Sequence, residues 1–219
     1  LEQLELQAAT EAGLVDVRQQ RVHLGLAGQL LLELVHVQRD LLLLAAGDMI
    51  QGNNWANLFS GRSSIEALNA MKVDALVVGN HEFDFGLDNM ARLFKMANYP
   101  IVCANYDVTG TVLEGLVKEY TIIQRNGIKI GVFGLGAQLE GLVASECYGN
   151  VKFEDPVSEA QRVTDLLKNQ EHCDLVICLS HLGWEGEPYS DIELIENTRD
   201  IDVVLGGHSH SYFDAPKYY

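Results

Sequence analysis

The sequence predicts an α/β fold in which two sheets pack face to face and helices cover the outside. Three observations predict it. The runs Leu41 to Leu44, Ala75 to Val78, Leu175 to Leu179 and Val203 to Leu205 are short, bounded and rich in Leu, Val and Ile, as strands buried on both faces are. From Arg39 onward such runs alternate with helix-patterned segments. Finally, Asp48, Asn80, His181 and His208 follow the four runs directly, and in sheets of this kind the carboxyl ends of the strands face a common crevice.

In chain order, residues 41–45 read as a strand, about 62–72 as a helix, 74–78 as a strand, about 86–98 as a helix and 100–104 as a strand, a βαβαβ pattern. Thr121 to Leu135 reads as a hairpin, because Asn126-Gly127 between two β-branched runs supplies the positive φ values that a type I′ turn requires. Asp155-Pro156 opens a helix through about Asn169, with Asp as N-cap and Pro at the first helical position. Ser190 with Glu193 forms a capping box for another short helix.

Residues 1–38 stand apart. They contain no aromatic residue and no Lys, Asn, Ile, Ser, Pro, Cys or Met, all of which occur later. Leu26, Leu30, Leu34 and Val37 would share one helical face, so Leu24 to Val37 is the helix candidate there. The composition break divides the chain into an atypical segment, 1–38, and a domain at 39–219, and it predicts that the coding sequence of the first segment is shifted in frame or otherwise altered.

A chain of 219 residues can bury a full core. Fifteen basic against 31 acidic residues give a formal charge of −16, which disfavours nucleic-acid polymers and anionic membranes and draws cations. No apolar run is long enough to span a bilayer, and no basic region, apolar core and cleavage site appear in the order of a signal peptide. Cys103, Cys147, Cys173 and Cys178 form no C-x-x-C pair and read as thiols packed like small apolar groups.

The chemistry concentrates in Gly79-Asn80-His81-Glu82-Phe83-Asp84, with Gly47-Asp48 before it and Gly207-His208-Ser209-His210 after it. A carboxylate, an amide oxygen and several imidazoles make a mixed nitrogen and oxygen ligand set suited to borderline divalent cations. His81 and Asp84 can pair, the carboxylate fixing the tautomer of the imidazole and raising its basicity. His208 and His210 project to one side if the chain there is extended, and Gly206-Gly207 permits close backbone approach to a metal or phosphate. His23, His36 and His172 lack such context and read as surface residues.

Gly47-Asp48, Gly79-Asn80-His81-Glu82, Ser180-His181-Leu182-Gly183 and Gly207-His208-Ser209-His210 resemble, in order and spacing, the calcineurin-like metallophosphoesterases, and within them the catalytic domain of the 5′-nucleotidase group. The resemblance covers about residues 39–210 and extends to Gly127-Ile128-Lys129-Ile130-Gly131-Val132. It implies a four-layer sandwich and a pair of divalent ions, Mn²⁺, Zn²⁺ or similar. Asp48 would bridge them, Asn80, His181 and His208 would complete one site, and His210 would belong to the other. His81 and Asp84 would be the catalytic pair. The implied reaction is in-line attack of metal-activated water on the phosphorus of nucleoside 5′-phosphates, in an extracytoplasmic protein.

Two departures limit that transfer. The family opens with an Asp-x-His motif at the end of its first strand, which supplies two ligands. Here Asp16-Val17-Arg18 is the nearest look-alike, and Arg cannot ligate a cation. The group also carries a C-terminal domain that holds the nucleoside base, and this chain is expected to be truncated before it. Three expectations therefore stand side by side: a nucleotide hydrolase, an impaired domain holding one metal, and a hydrolase of cyclic phosphodiesters or nucleotide diphosphate sugars.

Overall fold

The computed structural model describes residues 14–16, 41–186 and 188–219. The expected helix at Leu24 to Val37 lies outside them.

Strands β1 (Leu14–Asp16), β2 (Leu43–Ala45), β3 (Ala75–Val77), β4 (Ile101–Val102) and β6 (Val117–Lys118) form one sheet in the order β1-β2-β3-β4-β6. Strands β7 (Tyr120–Arg125), β8 (Ile128–Leu135), β10 (Leu175–Ser180) and β11 (Val203–Gly206) form a second in the order β11-β10-β8-β7. A small antiparallel pair joins β5 (Tyr106–Asp107) to β9 (Lys152–Phe153). Among the described residues the helices are α1 (Asn54–Leu58), α2 (Arg62–Met71), α3 (Gly86–Phe94), α4 (Ser145–Tyr148), α5 (Pro156–Asn169) and α6 (Asp191–Asn197), with a 3-10 turn at His81–Phe83.

Period-two burial builds four layers. Leu44, Ala75, Val77, Ile130, Val132, Ile177 and Leu179 pack between the sheets. Their strand neighbours Ala45, Leu76 and Val78 face outward onto Ile65, Leu68, Met90 and Leu93 of α2 and α3. Phe133, Leu135, Val176 and Cys178 do the same onto Ala160, Val163 and Leu167 of α5. Both faces of the central strands are thus covered, which is why their sequences are continuously apolar. At Gly134 the sheets come so close that a Cβ would lie 2.3 Å from the carbonyl oxygen of Val102.

The hairpin forms as expected, with Asn126 at φ 51° and Gly127 at φ 80°. Asp155 accepts from Ser158 N at 2.8 Å, and Ser190 accepts from Glu193 N at 3.3 Å, so both helix starts are capped. Helix α3 stops at Phe94, short of the expected 98. The Asn69 amide caps that end: it accepts from Asn98 N, a donor that a longer helix would have paired with Phe94 O, and donates to Met96 O, each at 2.9 Å. Among the cysteines, Cys103, Cys173 and Cys178 are buried, as read from sequence, and Cys147 is half-buried.

Strand β1 was not expected. It pairs antiparallel with β2, Leu14 opposite Ala45 and Asp16 opposite Leu43. That register sets Asp16 at the amino end of β2, away from the carboxyl end that leads to Asp48.

Candidate metal centre

Four strand ends converge. The chain leaves β2 into Asp48, β3 into Asn80, β10 into His181 and β11 into His208. Oxygen and ring-nitrogen atoms of Asp48, His181 and His208 lie within 4.8 Å of one another, and the two imidazole centroids are 5.2 Å apart.

Close packing makes this convergence possible. A Cβ on Gly79 would sit 2.4 Å from Asp48 Oδ1, one on Gly47 2.5 Å from His181 Nδ1, and one on Gly207 2.6 Å from the Ala46 carbonyl oxygen. Only glycine fits at these three positions. Asp48 and His208 hold the left-handed region at φ 59° and 68°, conformations that cluster at functional sites.

His181 is almost fully buried. Its Nδ1 lies 2.5 Å from the Ala46 carbonyl oxygen, which can only accept, so Nδ1 carries the hydrogen. In the neutral ring Nε2 then bears the lone pair. That Nε2 is 3.0 Å from Asp48 Oδ2 yet lacks the alignment of a hydrogen bond. The buried Asn80 Oδ1 has no hydrogen-bond partner either. Buried polar atoms are rarely left so. Two orphaned ligand-type atoms, one on each sheet, are what a cation-binding pocket needs. Burial disfavours a charged imidazole at 181, but Asp48 outweighs it and raises the pKa, so the spot favours positive charge. Burial likewise opposes ionisation of Asp48, and the His181 ring and the His81 backbone N–H overcome it and hold the carboxyl below its ordinary value.

His81 is anchored by its backbone N–H to Asp48 Oδ1 at 2.9 Å, and its Nδ1 meets Asp84 Oδ2 at 2.7 Å. The expected pair is therefore formed, on the 3-10 turn that follows β3. Partial burial pulls the His81 pKa down, but Asp84 and the nearby Asp48 charge raise it on balance.

His210 does not join the cluster. It is exposed, at φ 53°, and the extended chain that would have projected it beside His208 is not formed: Ser209 N bonds back to Gly207 O at 2.9 Å, a tight turn centred on His208. Among the described residues, Asp48, His181 and His208 form the one group of three or more His, Cys, Asp or Glu side chains placed to share an ion.

Sequence reasoning gave Glu82 no role, and the structure gives it one. Fully buried, its carboxylate accepts from Asp48 N at 2.9 Å, Met49 N at 2.6 Å and Gly79 N at 2.6 Å. It ties the end of β2 to the end of β3. The signal available in the sequence was its place between Asn80-His81 and Asp84, although nothing there names its partners.

Residues 26–212 match the family model described as calcineurin-like phosphoesterase. The chain is 35% identical over 188 residues to the snake venom 5′-nucleotidase of Crotalus adamanteus, covering 82% of this chain and 30% of that protein. In fold it is similar to a 5′-nucleotidase precursor from Thermus thermophilus, with TM-score 0.71 and 30% identity over 79% of this chain and 34% of the other. It is also similar to the NAD nucleotidase of Haemophilus influenzae, with TM-score 0.70 and 31% identity over 84% and 36% of the two chains. The chain spans about a third of the length of these relatives. It has the mixed α/β fold of their metallophosphatase domains, and the family implies divalent-metal binding. Among the described residues no helix is long and apolar enough to cross a membrane. The chain belongs to the calcineurin-like phosphoesterases, with 5′-nucleotidases among its relatives.

Proposed function

We propose that residues 39–219 form the catalytic part of a divalent-metal phosphoester hydrolase that acts on nucleoside 5′-phosphates. The observation that carries this reading is the meeting of Asp48, His181 and His208 around a buried Nε2 that has no hydrogen-bond partner. Asp48, His181, His208 and the Asn80 amide oxygen would hold the cation, Mn²⁺, Zn²⁺ or similar. Once bound, it supplies Lewis acidity toward phosphoryl oxygens and the attacking water.

The chain's own part follows from the geometry. Asp84 fixes the His81 tautomer through Nδ1, which leaves Nε2 to meet a substrate oxygen. Its raised pKa keeps His81 protonated further into the neutral range than an ordinary imidazole, so the ring donates a proton to the leaving alkoxide or neutralises charge on the phosphoryl group. The 5′-nucleotidase relative supports a nucleotide substrate, and the NAD nucleotidase relative supports extending the test to dinucleotides. The venom relative supports an extracytoplasmic setting.

A second reading is a domain that holds one metal and turns over poorly. It is favoured by the exposure of His210 and by the register that sets Asp16 at the far end of β2. Calorimetric titration with Mn²⁺ or Zn²⁺, followed by assays on an aryl phosphate, AMP, NAD and a cyclic nucleotide, separates the two. Two ions with AMP turnover support the leading reading. One ion without turnover supports the second, and no ion at all removes both.

A further inference from the structure

The carboxylate of Asp191 is 3% exposed and plays no part in the chemistry above. It is the first residue of α6, and it reaches back to the two strands that carry the imidazoles. Ser180 Oγ donates to Asp191 Oδ1 at 2.5 Å, and the same Oγ accepts from Leu182 N at 3.2 Å. One hydroxyl thus grips the residues on both sides of His181, and Asp191 holds that hydroxyl.

The other carboxylate oxygen packs against β11. A Cβ on Gly206 would lie 2.4 Å from Asp191 Oδ2, so only glycine lets the carboxylate this close. Gly206 is paired with Ser180, and Gly207 N donates to Ser180 O at 2.8 Å. His208 follows directly. The backbone of Asp191 adds a third tie, its N–H donating to Gly183 O at 2.8 Å. A single side chain therefore touches the last residue of β10 and the last residue of β11, each within two residues of an imidazole.

We propose that Asp191 is a positioning residue that fixes the separation of the His181 and His208 rings, and through it the affinity of the site for a divalent cation. The inference rests on the metal site proposed above. A carboxylate buried for packing alone is costly, since apolar groups of similar size serve as well. Partners that orient ligating imidazoles, by contrast, commonly tune affinity strongly. The polar bridge through Ser180 explains why a carboxylate stands here: its oxygen accepts the hydrogen of the buried Ser180 hydroxyl, while the hydroxyl oxygen accepts from Leu182 N.

The test is calorimetric titration of the whole chain with Mn²⁺, for wild type, Asp191→Ala, Asp191→Asn and Ser180→Ala, with melting curves in chelator to register folding separately. Asp191→Ala should weaken Mn²⁺ binding about 10–100-fold, and Ser180→Ala should move it in the same direction. Asp191→Asn keeps an oxygen facing Ser180 and should stay within about threefold of wild type. Whatever turnover wild type shows should return in Asp191→Ala at high Mn²⁺. If wild type binds Mn²⁺ and both Asp191→Ala and Ser180→Ala bind it equally well, the positioning role is wrong although the metal site stands. If Asp191→Ala does not fold, Ser180→Ala and Asp191→Asn decide the matter by the same measure. If wild type itself binds no Mn²⁺, the metal site and this inference fall together.

Discussion

The carboxylate of Glu82 accepts the backbone N–H of Asp48 at 2.9 Å and that of Gly79 at 2.6 Å, so one buried acid spans two strand ends that are 31 residues apart in sequence. With Met49 N it makes three such bonds. Gln offers one oxygen and one amide group to three donors, so Glu82→Gln leaves at least one N–H facing a donor. The expected cost is about 1–3 kcal/mol, the penalty for an unsatisfied buried group, read by urea denaturation in chelator. An unchanged midpoint would show that these bonds are replaced by others at no cost.

His81 and the ligand candidates should separate by assay. Asn80→Ala and His208→Ala are expected to lower metal content. His81→Ala should keep the metal and reduce turnover by roughly 10²–10⁴, the usual effect of losing a general acid-base group. Elemental analysis of the three purified variants, beside their rates, checks this. Equal metal loss in all three would contradict the division of roles.

Much of this arrangement is legible in the sequence, for identifiable reasons. Asn126-Gly127, Asp155-Pro156 and Ser190 act locally, so their turn and caps follow from neighbours alone. The continuous apolar runs announce strands covered on both sides. Contacts far apart in sequence are another matter: nothing near Glu82 announces that its partners include Asp48 and Met49, and nothing near Asn69 announces that it ends α3. The two-residue strands β5 and β9 are too short to show a period. The side to which His210 projects depends on whether the chain at 207–210 is extended, and the left-handed backbone of His208 within the Gly207 to Ser209 turn has no signal in the neighbouring residue types.

Gly79 gives a steric test of the same pocket. Its missing Cβ would lie 2.4 Å from Asp48 Oδ1, 2.7 Å from Asp48 N and 2.8 Å from His181 Nε2. Gly79→Ala must push these groups apart, at about 1–3 kcal/mol of overpacking strain. The expected result is a folded protein with little bound metal, measured by melting in chelator and by titration with Mn²⁺. Full metal binding in Gly79→Ala would mean that the strand ends are not held as tightly as their separation implies.

Cys147 and the other thiols should differ in reactivity. Burial pushes the Cys103 thiol up to about 12 and that of Cys178 well above its ordinary value, so neither forms thiolate near neutral pH. Cys147 is half-buried, on α4. Brief treatment of the native protein with an alkylating reagent at pH 8, followed by peptide mapping, should label Cys147 first and leave Cys103 and Cys178 unmodified until denaturant is added. Early labelling of Cys103 or Cys178 would contradict the closed core between the helices and the sheets.

Asp191 makes stability depend on pH in a predictable direction. Burial raises its carboxyl from 3.8 to about 6, although the Ser180 hydroxyl works the other way. Below pH 3.8 the group is protonated in both folded and unfolded chains. As pH rises toward about 6 the unfolded chain gives up the proton and the folded chain keeps it, so stability falls across that window and levels off above it. A shift of this size corresponds to about 3 kcal/mol. Asn cannot ionise, so the stability of Asp191→Asn relative to wild type should rise by about that amount between pH 4 and pH 7. Urea unfolding of both proteins in chelator at several pH values measures the difference. A gap that stays constant with pH would show that the carboxylate is not desolvated at the junction of β10, β11 and α6.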